Sequence, residues 1–113
     1  MDLDQKNRVN ALLGFYGPLL TTKQQDYLAY YCADDYSIIE IAQEESCSRQ
    51  AVSENIKRGV EQLERYENLL HIYRDFLKRQ ELEKEVIAYL DEHHQDDQNL
   101  KKMLEGLLSQ EID

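Results

Sequence analysis

The chain has 113 residues, with 13 Lys and Arg against 23 Asp and Glu, a formal net charge of −10. That length suits one domain with a modest core, burying roughly 65% of its unfolded surface. Four Gly and one Pro are too few for a chain rich in tight turns, which disfavours sandwiches, barrels and collagen-like or disordered classes. No apolar run approaches the ~18 residues of a membrane span. The start, MDLDQKNRVN, is polar and acidic, without the profile of a signal peptide, and a cytoplasmic location is expected. Cys32 and Cys47 form no CxxC pair and read as reduced core thiols.

In chain order, Val9, Leu12, Leu13 and Tyr16 recur at helical spacing and predict a first helix over about residues 4–16. Gly17-Pro18 ends it, since Pro lacks a backbone N–H and disfavours helix in the residue before it. Thr22 with Gln25 three residues on predicts a capping box. The helix it opens runs to about Ala33, with an aromatic face of Tyr27, Tyr30 and Tyr31, and Asp34-Asp35 forms the turn. Ser37 with Glu40 is a stronger capping box, opening a short helix through Glu45 with Ile38, Ile41 and Ala42 inward. Ser46-Cys47 breaks that helix and Ser48 caps the next. Val52, Ile56, Val60, Leu63 and Leu70 then mark a long helix, extending past Tyr66. A new apolar group, Ile72, Tyr73, Phe76 and Leu77, follows, and Leu82, Val86 and Leu90 continue it in steps of four. After the polar stretch His93 to Asp97, Leu100, Met103, Leu104, Leu107 and Leu108 make a final amphipathic helix.

The net charge is unevenly spread. Residues 1–48 carry three basic and eight acidic groups (−5), residues 49–84 eight and seven (+1), and residues 85–113 two and eight (−6). An acidic surface repels nucleic acid, so a basic surface has to lie in the middle segment. That segment overlaps SIIEIAQEESCSRQAVSENIKRG, residues 37–59. A short capped helix, a turn at residues 46–48 and a second capped helix make the layout of a helix-turn-helix. Ala42 is small where the helices cross, Cys47 plugs the turn, and Val52 and Ile56 face inward. Arg49, Gln50, Ser53, Glu54 and Lys57 are left outward. Arg can chelate a guanine edge and Gln an adenine edge, while Ser48, Lys57 and Arg58 can hold phosphates. The start of the helix adds a partial positive charge for a phosphate to meet. Glu54 dissents, because it accepts only from cytosine and repels the backbone. The competing reading is that residues 49–58 are a solvated helix face in an interaction protein.

Residues 16–58, YGPLLTTKQQDYLAYYCADDYSIIEIAQEESCSRQAVSENIKR, with LHIY at 70–73, resemble the YlxM-type helix-turn-helix proteins of Gram-positive bacteria. That group is itself similar to the fourth conserved region of bacterial sigma factors. The resemblance spans about the first two-thirds of the chain, and the ADDYS and SRQAV blocks make it specific. It implies a small cytosolic regulatory protein linked to the signal recognition particle pathway, because the family's genes sit beside those for the particle's GTPase and its receptor. Two positions depart from the family pattern. Ser53 stands where relatives often carry Tyr, which removes a stacking or methyl contact. Ser46-Cys47 replaces a Gly-Val type of turn, and Ser is less comfortable than Gly at positive φ.

Other groups fit plainer roles. Glu40/Glu44, Glu81/Glu85 and Asp34/Asp35 pair carboxylates, but without a nucleophile or phosphate cradle nearby they read as solvated faces. His93-His94 beside Asp96 and Asp97 reads as an exposed loop in preference to a metal site, because adjacent histidines diverge on a helix. The tyrosines at helical spacing with Leu read as core before they read as RNA-stacking platforms. The expected fold is therefore all-α, sigma-factor-like and without a β-wing. A helix-turn-helix domain spans 1–70, and a helical extension over 71–113 packs on it or on a second copy. The expected protein is not an enzyme and needs no cofactor or metal. Its binding residues are Ser48, Arg49, Gln50, Ser53, Lys57 and Arg58, and its expected partners are DNA or particle RNA, a particle protein, and a second copy. In the alternative reading it is an acidic adaptor docking on a protein such as the particle GTPase.

Overall fold

A computed structural model describes residues 1–94 and 96–109. Gln95 and residues 110–113 of the predicted extension lie outside the described residues. Among the described residues the fold is all-α, with six α-helices and no strand. They are α1 (Leu3–Tyr16), α2 (Thr22–Leu28), α3 (Ile38–Glu44), α4 (Arg49–Leu70), α5 (Ile72–His93) and α6 (Gln98–Ser109).

The helix starts follow from local capping. Asp2 accepts from the Gln5 backbone N–H at 2.8 Å, and Gln5 returns the bond to the Asp2 N–H at 2.9 Å. Ser37 and Glu40 form the same reciprocal pair at 3.1 and 3.2 Å. The predicted Thr22/Gln25 box is corrected by one residue: Thr21 caps α2, paired with Gln24 at 3.2 Å in both directions. The tandem TT and QQ offer two equivalent registers. The 3₁₀ turn Gly17–Leu19, with Pro18 at its start and Leu20 buried behind it, decides between them. Past α2 the chain widens into a π-helical turn over Ala29–Ala33, which periodicity alone does not reveal.

The chain falls into two compact units, residues 1–73 and 74–113. In the first, α1, α2, α3 and α4 enclose a core in which Leu12, Leu28, Ile41, Val52 and Leu63 are fully buried. Each such side chain contributes roughly 1.5–3 kcal/mol. Helix α4 packs against α1, α2 and α3. It approaches α2 so closely at Gly59 that an added Cβ would lie 2.7 Å from Leu28 Cδ1. The inner row of α4 from Val52 to Leu63 is therefore covered within the unit, whereas Leu69 and Leu70 at its end stay exposed. Two ion pairs tie α1 across the surface: Arg8 grips Glu64 bidentately at 2.8 Å, and Lys6 meets Asp35 at 2.9 Å while lying 4.4 Å over the Tyr31 ring.

The break between α4 and α5 is a buried polar junction. His71 takes the left-handed conformation (φ 55°) and donates its N–H to the Glu67 carbonyl. Glu67 is only 6% exposed. Its Oε1 accepts from the Tyr16 hydroxyl at 2.6 Å and from the Tyr73 N–H at 3.1 Å, and the Tyr16 oxygen accepts from the Ile72 N–H at 3.2 Å. Tyr16 of α1 and Glu67 of α4 thus satisfy the first two amides of α5, which would otherwise lack acceptors. Burial first, then the Glu67 bond, pushes the Tyr16 phenol above its ordinary pKa.

The second unit is built differently. Among its described residues Leu90 is the one large apolar side chain that is buried. Asp97 caps α6 by accepting from the Leu100 N–H at 3.0 Å, and Lys101 meets Asp91 at 3.2 Å. The predicted stripes of α5 and α6 form as helices, but Leu82, Val86, Met103 and Leu107 face solvent.

Candidate nucleic-acid interface

Ser48 sets the start of α4 by accepting from the Ala51 N–H at 3.0 Å. The turn before it is sharp. Ser46 sits at φ 53°, the left-handed conformation that costs a residue with a Cβ about 1–2 kcal/mol. Glycine would take this conformation without that cost. Cys47 closes the turn, half-buried, with its N–H on the Ala42 carbonyl at 3.0 Å and its sulfur 3.7 Å from the Tyr27 hydroxyl. The hydrogen bond to Cys47, followed by burial, pushes the Tyr27 phenol up to about 12.

With that start fixed, the alternation of faces follows. Val52, Ile56 and Gly59 are buried, while Ser48, Arg49, Gln50, Ser53, Lys57 and Arg58 are all exposed. Spacings of three, four and seven put Gln50, Ser53, Glu54 and Lys57 on one face, and Arg49 occupies the first turn. Residues 49–58 extend about 14 Å along the axis, commensurate with a major groove about 12 Å wide. Arg58 leans on Glu54, 3.2 Å away. Such an exposed i,i+4 pair is worth about 0.3–0.5 kcal/mol, so a phosphate can displace Glu54 readily.

Arg58 also borders a shallow hollow with Gln24, Glu61, Gln62 and Arg65. Arg65 lies two turns beyond Arg58 on the same helix line and was missed in the sequence because the motif ends near residue 59. The surroundings carry acid as well. Glu45, together with burial and Asp26 and Glu44, raises the Tyr30 phenol, which marks a negative potential beside the turn.

The other candidate groups take structural roles. Glu40 completes the α3 cap, Asp35 pairs with Lys6, and Glu81 lies 3.8 Å from Lys84. Tyr27 is buried, and Tyr30, Tyr31, Tyr66 and Tyr73 pack against the core. His93 stacks on Tyr89, with Nδ1 3.1 Å from the Tyr89 carbonyl. Among the described residues no three His, Cys, Asp or Glu side chains gather in a metal-holding group. No helix among them is long and apolar enough to cross a membrane.

A capped short helix, a tight turn and a long helix with one polar exposed face define a helix-turn-helix protein. The profile of the family described as "Putative helix-turn-helix protein, YlxM / p13 like" (UPF0122) matches residues 3–105, and the chain belongs to that family. A UPF0122 protein of Limosilactobacillus fermentum is 49% identical over 107 residues, 95% of each chain. One from Lactiplantibacillus plantarum is 45% identical over 113 residues, covering 100% of this chain and 98% of its own. One from Streptococcus equi subsp. zooepidemicus is 48% identical over 95 residues, 83% of this chain and 84% of its own.

Proposed function

We propose that this protein is a non-enzymatic, cytoplasmic regulator that docks duplex nucleic acid on the start of α4. The observation that carries this reading is the segregation along residues 48–58, with apolar side chains buried and every predicted contact residue exposed. In the bound state Arg49 and Gln50 face base edges, Ser53 lies between them and the groove wall, and Ser48, Lys57 and Arg58 hold phosphates. With so little positive charge, affinity for random sequence is weak, and a second contact has to supplement it. A place in the signal recognition particle pathway, with particle RNA as one such duplex, rests on the resemblance carried by residues 16–58 and 70–73.

A second reading is favoured by the acid beside the turn and the exposed apolar side chains of α5 and α6: an adaptor that docks on a protein such as the particle GTPase, with the helix-turn-helix as scaffold. Pairing of two copies through exposed Leu69, Leu70 and Ile72 belongs to either reading. A monomeric mass by light scattering at tens of micromolar would remove it. The deciding experiment titrates the protein against random duplex, particle RNA and purified particle protein side by side over a range of salt. Binding to either nucleic acid that weakens with salt supports the first reading. Binding to the protein alone supports the second.

A further inference from the structure

The second unit leaves an organised apolar row uncovered. Leu82, Val86 and Tyr89 are spaced by four and three, which places them on one face of α5, and they are 59%, 38% and 56% exposed. The row is stiffened at one end, where the Tyr89 ring stacks on His93 at 4.2 Å with 16° between planes. Glu81, Glu85 and Glu92, all exposed, recur at spacings of four and seven and form a carboxylate rail along its edge. A helix that displays Leu, Val and Tyr to water while leaving Leu90 as the buried apolar anchor of its unit gains little from intramolecular packing.

The geometry points to a docking face for a basic amphipathic helix of a partner protein, with its apolar anchors on Leu82, Val86 and Tyr89 and its Lys or Arg side chains on Glu81, Glu85 and Glu92. Charge selects this occupant. A second copy brings the same rail, so self-pairing along this face sets Glu85 and Glu92, and Glu81 with its neighbour Lys84 at 3.8 Å, against like carboxylates. A partner helix with anchors at i, i+3, i+4 and i+7 matches the row, and flanking cations match the rail. This inference names the partner chemistry of the adaptor reading and rests on that reading, not on nucleic-acid binding by α4.

The test uses the full chain and a labelled synthetic peptide of about five helical turns, with Leu at i, i+3, i+4 and i+7 and Lys on the flanks. A control peptide carries Glu for every Lys. Fluorescence anisotropy should show binding of the basic peptide with a gain of helical circular dichroism, and at least about tenfold weaker binding of the acidic one. Leu82→Ala with Tyr89→Ala should weaken it about tenfold or more. Glu81→Gln, Glu85→Gln and Glu92→Gln together should weaken it several-fold and flatten its salt dependence. All these side chains are exposed, and unchanged circular dichroism of the free variants verifies that the fold persists. Equal binding of both peptides would overturn the proposal, as would no binding or unaltered affinity in the Leu82/Tyr89 variant. A dimer in sedimentation that this variant dissolves would identify a second copy as the occupant and also overturn it. Because the peptide assay contains no particle protein, failure against that protein with peptide binding intact rejects the named partner and leaves the face standing.

Discussion

Replacing Tyr16 by Phe removes one oxygen from the junction of α4 and α5 and leaves the ring in place. That oxygen donates to Glu67 at 2.6 Å and accepts from the Ile72 N–H at 3.2 Å. The substitution therefore withdraws one partner from a buried carboxylate and leaves a helix-start amide without this acceptor. A hydrogen bond to a charged group is worth about 1.5–3 kcal/mol, and an unsatisfied buried amide costs about 1–3 kcal/mol. These overlap, so the expected loss is about 2–4 kcal/mol, because the ring of Phe still fills the space and no cavity forms. In a unit of this size each kcal/mol lowers Tm by roughly 4–8 °C. Urea titration followed by far-ultraviolet circular dichroism measures the change, and a cycle with Glu67→Ala should return a coupling of about 0.5–3 kcal/mol. A Tyr16→Phe variant within about 0.5 kcal/mol of the parent would refute the claim that this oxygen organises the junction.

At the turn, Ser48→Ala and Ser46→Gly should move stability in opposite directions: the first loses the α4 cap at a cost of about 1 kcal/mol, the second relieves a left-handed serine and gains up to about 1 kcal/mol, both read by urea titration. The Tyr27 phenol stays protonated to about pH 12 and Tyr16 is also raised. Folded pKa values above the unfolded value near 10 mean that the native state holds these protons more tightly. Their contribution is complete below about pH 10 and is lost as pH rises through the folded values; phenolate absorbance should show Cys47→Ala lowering the Tyr27 midpoint. Glu54→Gln frees Arg58 and removes the acidic group from the recognition face, so duplex affinity should rise several-fold at low salt; unchanged affinity in an anisotropy titration would show that this face does not meet phosphate.

The legible parts of this fold are those with local physical causes. Ser37 and Ser48 announce the two helices of the motif because a cap is a contact between residues three apart. The outward set from Arg49 to Arg58 is legible because burial of Val52 and Ile56 fixes every intervening side chain. Thr21 and Thr22 could not be separated locally, and the preceding 3₁₀ turn decided between them. Glu67 was invisible for a stronger reason. In ERYEN it looks like a solvated helix residue, and its partner Tyr16 lies 51 residues away. The π-helical turn at Ala29–Ala33 likewise carries no pattern of its own. The apolar steps Leu82, Val86 and Leu90 of α5 are legible as a helix, but what covers them is not, since periodicity reports an apolar face and not its partner.

The central claim is that α4 meets a phosphate backbone. The direct measurement is duplex affinity against salt for the parent, Arg49→Ala and Lys57→Ala. Lys57→Ala should weaken binding uniformly across sequences and reduce the slope of log K against log salt by about one. Arg49→Ala should narrow the preference for one sequence over another. Binding that ignores salt, or a Lys57→Ala protein with the parent's affinity and slope, would contradict it.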